Sequence, residues 1–139
     1  MAALFSERTK KRMSKFLVIA EKPSVAQSYA KNLSAYKKGD GYLEGESCIV
    51  SWCLGHLAEY AQPEEYDSKY EKWQFDDLPI LPQVWKLKVS RDKKKQFDVL
   101  KSLMNRADVD YLVNGCDAGR EGELIFQRVY DLAGCRKPD

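Results

Sequence analysis

Two apolar runs, each followed by a carboxylate and then a helix signature, constrain this chain more than any other feature. The first is Phe16 to Ala20, followed by Glu21, Lys22 and Pro23. The second is Tyr111 to Val113, followed by Asn114, Gly115, Cys116, Asp117 and the segment A-G-R-E-G-E. A continuous apolar run of strand length suits a strand covered on both faces, as in a parallel sheet. Pro23 fits a first helical turn, where its missing N–H costs nothing. Val25, Ala26, Tyr29, Ala30 and Leu33 then recur at helical spacing. Each segment therefore predicts strand, carboxylate, helix. In an open parallel α/β sheet, ligands bind at the edge where those carboxylates fall. Two strand-helix units of one parallel sheet are commonly neighbours, so Glu21 and Asp117 are expected to meet.

Two carboxylates at one such edge suit Mg²⁺. That ion takes one or two protein carboxylates and keeps waters and substrate phosphate in its other positions; Mn²⁺ can take its place. Like-charge repulsion raises the pKa of one of two close carboxyls, which would let Glu21 hold a proton without metal and act as a general acid. Gly119 and Gly122 let backbone approach a ligand closely. Arg120 at a helix start makes a phosphate clamp, and Lys22 is a second candidate phosphate ligand. Plainer readings exist for each residue alone. Acids near a helix start, such as Asp117, Glu121 and Glu123, are favoured by the helix dipole without any ligand. Lys22 alone reads as a solvated lysine, and His56 after a glycine turn as a hydrogen-bonded structural residue. The case rests on the combination.

The rest of the chain reads as one α/β domain of 139 residues. Residues 1–14 form a basic lead-in with no apolar face, expected to be flexible. Cys48 to Trp52 predicts a second strand. Residues 61–90 are an irregular excursion rich in aromatics (Tyr66, Tyr70, Trp73, Phe75), expected to pack mostly into the core and to end in a half-exposed strand at Trp85, Leu87 and Val89. Residues 92–106 predict an amphipathic helix burying Phe97, Leu100, Leu103 and Met104. Its first turn carries Lys93, Lys94 and Lys95 at the end the dipole makes unfavourable for cations, so either a solvated face or a DNA contact is expected there. Tyr111 to Val113 is expected as a buried strand. Arg120 to Ala133 predicts a last helix with Leu124, Ile125, Val129 and Leu132 inward and Gly134 as its cap.

Composition excludes several classes. No apolar stretch approaches the ~20 residues that span a bilayer, and the start lacks a signal peptide's apolar middle. The expected location is cytoplasmic, with no membrane partner. Four cysteines without C-x-x-C spacing and a single histidine argue against zinc, and free thiols are expected. A net charge of +2 does not announce nucleic-acid binding, though a local basic patch suffices for it.

At its two joints the chain closely resembles the Toprim domain of type IA DNA topoisomerases, with the bacterial topoisomerase III pattern. The resemblance runs from about Lys15 to the end. It includes V-I-A-E-K-P-S-V-A from Val18, G-Y-L-E-G from Gly41, S-W-C-L-G-H-L from Ser51, D-L-P-I-L-P from Asp77 and D-A-G-R-E-G-E-L-I from Asp117. It implies a Rossmann-like, mainly parallel sheet with helices on both faces. It implies that Glu21 joins in metal binding and protonates the leaving 3′ oxygen, and that Lys22 contacts the scissile phosphate. Asp117 and Glu121 are implied as metal ligands and Arg120 as catalytic, with Lys22, Arg120 and His56 as DNA contacts. The implied activity cuts one DNA strand through a 5′-phosphotyrosine, passes another through the gap and reseals, without ATP. The implied partners are DNA, mainly single-stranded, and the remaining domains of the same enzyme.

Two departures qualify the resemblance. Gly119 stands where the pattern D-x-D-x-E has its second acid, which puts a two-metal arrangement in doubt and leaves Glu121 or water to fill the gap. The family also continues past the point matching Asp139, and its nucleophilic tyrosine lies there. The expectation is therefore an amino-terminal fragment, probing as metal-binding but inactive alone. Other Toprim proteins (primases, nucleases, recombination mediators) lack the G-H-L and D-L-P-I-L-P segments, and a docking module without chemistry is the non-enzymatic alternative that Gly119 favours.

Overall fold

The computed structural model describes residues 13–139, so most of the expected lead-in lies outside the described residues. The elements follow in chain order: β1 (Lys15–Ala20), α1 (Pro23–Asn32), β2 (Lys37–Lys38), β3 (Tyr42–Glu44), β4 (Cys48–Trp52), β5 (Ala58–Tyr60), β6 (Leu87–Val89), α2 (Lys94–Met104), β7 (Val109–Gly115) and α3 (Arg120–Ala133). The main sheet has the order β2-β3-β4-β1-β7. Its longest pairings are parallel: β1 with β4 from Phe16↔Cys48 to Ala20↔Trp52, and β1 with β7 through Ala20↔Gly115. The hairpin β2-β3 adds antiparallel strands on the β4 side. The α/β expectation holds, with β1 at the centre.

Burial of β1 on both sides follows from its alternation. Leu17 and Ile19 join Phe97, Leu100, Met104, Ile125 and Phe126 in the larger core beneath α2 and α3. Val18 and Ala20 join Ala26, Ala30 and Val50 in a smaller core beneath α1. Gln96 is the buried polar residue of α2. Its amide donates to the carbonyls of Gly41 (3.1 Å) and Trp52 (2.8 Å), which satisfies it where an unpaired amide would be costly. The far rim of the sheet carries a charged cluster. Arg106 pairs with Glu44 at 2.9 Å and Asp108 at 2.7 Å, and Lys15 pairs with Glu44 at 2.7 Å. Hydrogen bonds from Arg106 hold Asp108 down to about 2 and Glu44 below its ordinary range.

Several expectations need correction. The excursion's largest aromatics are not core: Trp73 is 76% and Phe75 88% exposed. Its three single 3₁₀ turns are held instead by local polar contacts. The half-exposed strand is shorter than expected, with Trp85 outside it, and pairs with the unforeseen β5 in a separate two-stranded sheet. Tyr111 and Val113 are not buried, because β7 is paired by β1 on one side and turns these two residues outward while Val109 and Leu112 face the core. In α3, Leu124 faces solvent and Phe126 takes the core position. Residues 91–93 form a 3₁₀ turn, so α2 begins only at Lys94. All four cysteines are free thiols, Cys116 only partly buried.

Candidate active site at the carboxyl edge

Glu21 leaves β1 directly beside the point where Asp117 leaves the β7 turn. The backbone N–H of Asp117 donates to the Glu21 carboxylate (Oε2) at 3.4 Å. Two further contacts fix this meeting. The Tyr29 hydroxyl of α1 donates to the Gly115 carbonyl at 3.0 Å, latching the first unit to the end of the second. Gly115 allows that approach, since a Cβ there would lie 2.9 Å from the Tyr29 ring and 3.1 Å from the Ile19 carbonyl. On the other side of β1, the N–H groups of Cys53 and Gly55 donate to the carbonyls of Ala20 (2.8 Å) and Glu21 (3.2 Å). Glu21 is thus held by its backbone while its side chain stays half-exposed.

The turn from Asp117 into α3 is built around Gly122. A Cβ at that position would fall 2.0 Å from the Asp117 carbonyl oxygen, a contact no side chain tolerates. The chain therefore folds tightly over the glycine and returns Asp117 to the sheet edge. Gly119 is extended and meets nothing, so its lack of a side chain leaves open space beside the site. Asn114 was not foreseen as a site residue. Its carbonyl oxygen accepts from the Cys116 N–H at 3.1 Å, and its amide donates to Glu123 at 2.9 Å. The signal for it was available: Asn followed by Gly favours an Asx-type turn.

The predicted residues are not all brought to one point. Lys22 sits at the N-cap of α1 in extended backbone. It and Arg120 are exposed, with no side-chain hydrogen bond or ion pair among the described residues, so both cations are free for a ligand. Glu121 turns aside to His56, whose Nε2 lies 3.1 Å from its carboxylate. The other ring nitrogen of His56 is buried without a hydrogen-bond partner among the described residues. Lys93 donates to the His56 carbonyl at 3.0 Å, which accounts for one of the three lysines at the start of α2. Lys94 and Lys95 pair with Asp98 and Asp40 on the surface. Beneath the carboxylates lie two thiols. Its neighbour Cys116, then burial, pushes the fully buried Cys53 thiol up.

This edge carries two acids from two strand-helix units, β1-α1 and β7-α3. The model of the Toprim domain matches residues 16–138. The chain belongs to the Toprim domain family. Curated relatives carry the same Toprim stretch. DNA topoisomerase 3 of Bacillus cereus (strain ATCC 10987 / NRS 248) is 52% identical over 126 residues, covering 91% of this chain and 17% of that protein. DNA topoisomerase 3 of Bacillus subtilis (strain 168) is 48% identical with the same coverage. The Toprim chain thus spans only about a sixth of the length of these relatives. Among the described residues, no helix is long and apolar enough to cross a membrane.

Proposed function

We propose that this Toprim domain is the metal-binding part of a type IA topoisomerase site that cuts and reseals single DNA strands. The meeting of Glu21 with Asp117, flanked by the unpaired cations Lys22 and Arg120, carries the reading. Toprim domains bind divalent metal ions, and the donors here fit Mg²⁺. Both are hard carboxylate oxygens at an open edge. Among the described residues no three acidic, histidine or cysteine side chains converge. Mg²⁺ does not require them, because water and substrate phosphate complete its shell. Glu21 and Asp117 would hold the ion, with Glu121 joining by leaving His56. When bound, the ion offsets charge developing on the transferring phosphate.

The chain's own residues supply the rest. Lys22 and Arg120 grip the phosphate from the starts of two helices, where backbone N–H groups also favour an anion. When it is released from the ion, Glu21 carries a proton and delivers it to the leaving 3′ oxygen. His56 holds Glu121 until the ion binds, and lines the DNA path. The nucleophilic tyrosine is supplied from outside this sequence, in keeping with the small share of the relatives that the chain spans, so the chain alone does not cut DNA. A cytoplasmic setting, a preference for single-stranded DNA and independence of ATP belong to the same reading.

The test is a chimera in which this chain replaces the matched stretch of the Bacillus cereus relative. With Mg²⁺ and no ATP it should relax supercoiled plasmid. Glu21→Gln should slow relaxation roughly 10²-fold or more, the usual worth of a general acid. Equal rates for the parent chimera and a Glu21→Gln/Asp117→Asn double variant would overturn the proposal.

A further inference from the structure

The excursion between β5 and β6 is too well built for a loose loop and too apolar for a free surface. Tyr66 anchors it: its hydroxyl accepts from the Lys86 N–H at 2.7 Å, and the Lys86 ammonium lies 5.3 Å from its ring centre. Glu65 caps the first 3₁₀ turn and pairs with Lys88 of β6 at 2.5 Å. Tyr60, packed against Trp85 with the two rings tilted by 59° and covered by Arg128 of α3 at 4.7 Å, ties the base of the excursion to the body. On this fixed platform Trp73, Phe75, Leu78, Leu81, Val84 and Trp85 all point outward, from 47% to 88% exposed. Trp73 and Leu78 line one cleft, Leu81 and Val84 another, and both clefts share Tyr70 and Ile80. These four therefore flank a common ridge, and Phe75 and Trp85 lie next to them in sequence. Soluble proteins seldom expose grouped large apolar side chains unless a partner covers them, and Trp is the residue most enriched at interface hot spots.

Charge selects the partner. Residues 61–86 carry six acids (Glu64, Glu65, Asp67, Glu71, Asp76, Asp77) against three lysines, a net of −3, so the rest of the +2 chain stands at +5. An acidic surface repels phosphate, which argues against nucleic acid here. It complements a protein surface with an apolar centre and a basic rim. The relatives extend well beyond the matched stretch, which covers 17% of them, so the partner surface can belong to the same polypeptide. We propose that the ridge from Trp73 to Trp85 docks the remaining part of a topoisomerase of this kind through an apolar, basic-rimmed face. The identity of this occupant rests on the functional reading above, whereas the docking itself does not depend on catalysis.

Hydroxyl-radical footprinting read by mass spectrometry tests this on the isolated chain and on the chimera described above. Labelling of Trp73, Phe75 and Trp85 should fall severalfold in the chimera, while Phe126 stays protected in both as a check on folding. Reversing the rim with Asp76→Lys and Asp77→Lys in the chimera should restore labelling of Trp73 and Phe75. Equal labelling in both proteins with Phe126 protected would overturn the proposal. So would protection of the ridge in the isolated chain by single-stranded DNA or by raised protein concentration, since DNA or a second copy would then be the occupant. An inactive chimera that still protects the ridge would sink the catalytic reading and leave the docking surface standing.

Discussion

The carboxyl edge and the excursion are built on opposite plans. At the edge, buried strands and two tight glycines bring a few polar groups together, and four hydrogen bonds hold Glu21 next to Asp117. In the excursion, polar and cation–aromatic contacts, some of them to β6 and α3, do the holding and most large apolar groups are left outside. The contrast shows that burial follows from what a segment packs against. Aromatic content alone does not decide it. Tyr66 and Trp73 lie in one segment, yet one anchors it and the other stands in solvent.

Four substitutions would break or sharpen that contrast. Phe126→Ala, fully buried under the sheet, should cost about 3–5 kcal/mol in chemical unfolding, the usual price of a lost core aromatic. A loss below about 1 kcal/mol would mean that the α3 core is not the framework of the site. Gly122→Ala should cost about 1–3 kcal/mol, as forced overpacking does, and should weaken Mn²⁺ binding followed by electron paramagnetic resonance. A fully stable variant with unchanged binding would show that the turn over Gly122 does not set the position of Asp117. Arg106→Met should cost about 1 kcal/mol at neutral pH, a screened value for a partly exposed cluster. Because the native pKa of Asp108 is depressed to about 2, its contribution is present above the ordinary aspartate value and fades as pH falls from about 4 towards 2. The gap between wild type and variant should close over that window, and a gap that widens would contradict the pairing. Phe75→Ala, the most exposed of the ridge, should change stability by less than about 0.5 kcal/mol. A larger loss would move the excursion into the same class as the core.

Much of the edge was legible in the sequence because the strand, carboxylate and helix signals fall on consecutive residues and reinforce one another. β4 and α3 begin and end where the pattern predicts. What escaped depends on contacts distant in sequence. β5 is three residues long and gains its pairing only from β6 across the excursion. Tyr111 and Val113 look like buried residues, and only the absence of a cover over that face of β7 makes them exposed. The turning of Glu121 towards His56 links residues 65 positions apart, which no local pattern reports. Asn114 carries a local turn signal, but its bond to Glu123 forms only when α3 folds back over the end of β7.

The Arg106 cluster has one further consequence. The six residues of β1 separate it from Glu21 by roughly 20 Å, more than two screening lengths at physiological salt. A charge altered at one rim of the sheet is therefore scarcely felt at the other. Acid tolerance and the charge balance at the Glu21 edge become independent traits of one small fold, and selection can retune the first by swapping residues around Arg106 while the second stays where it is.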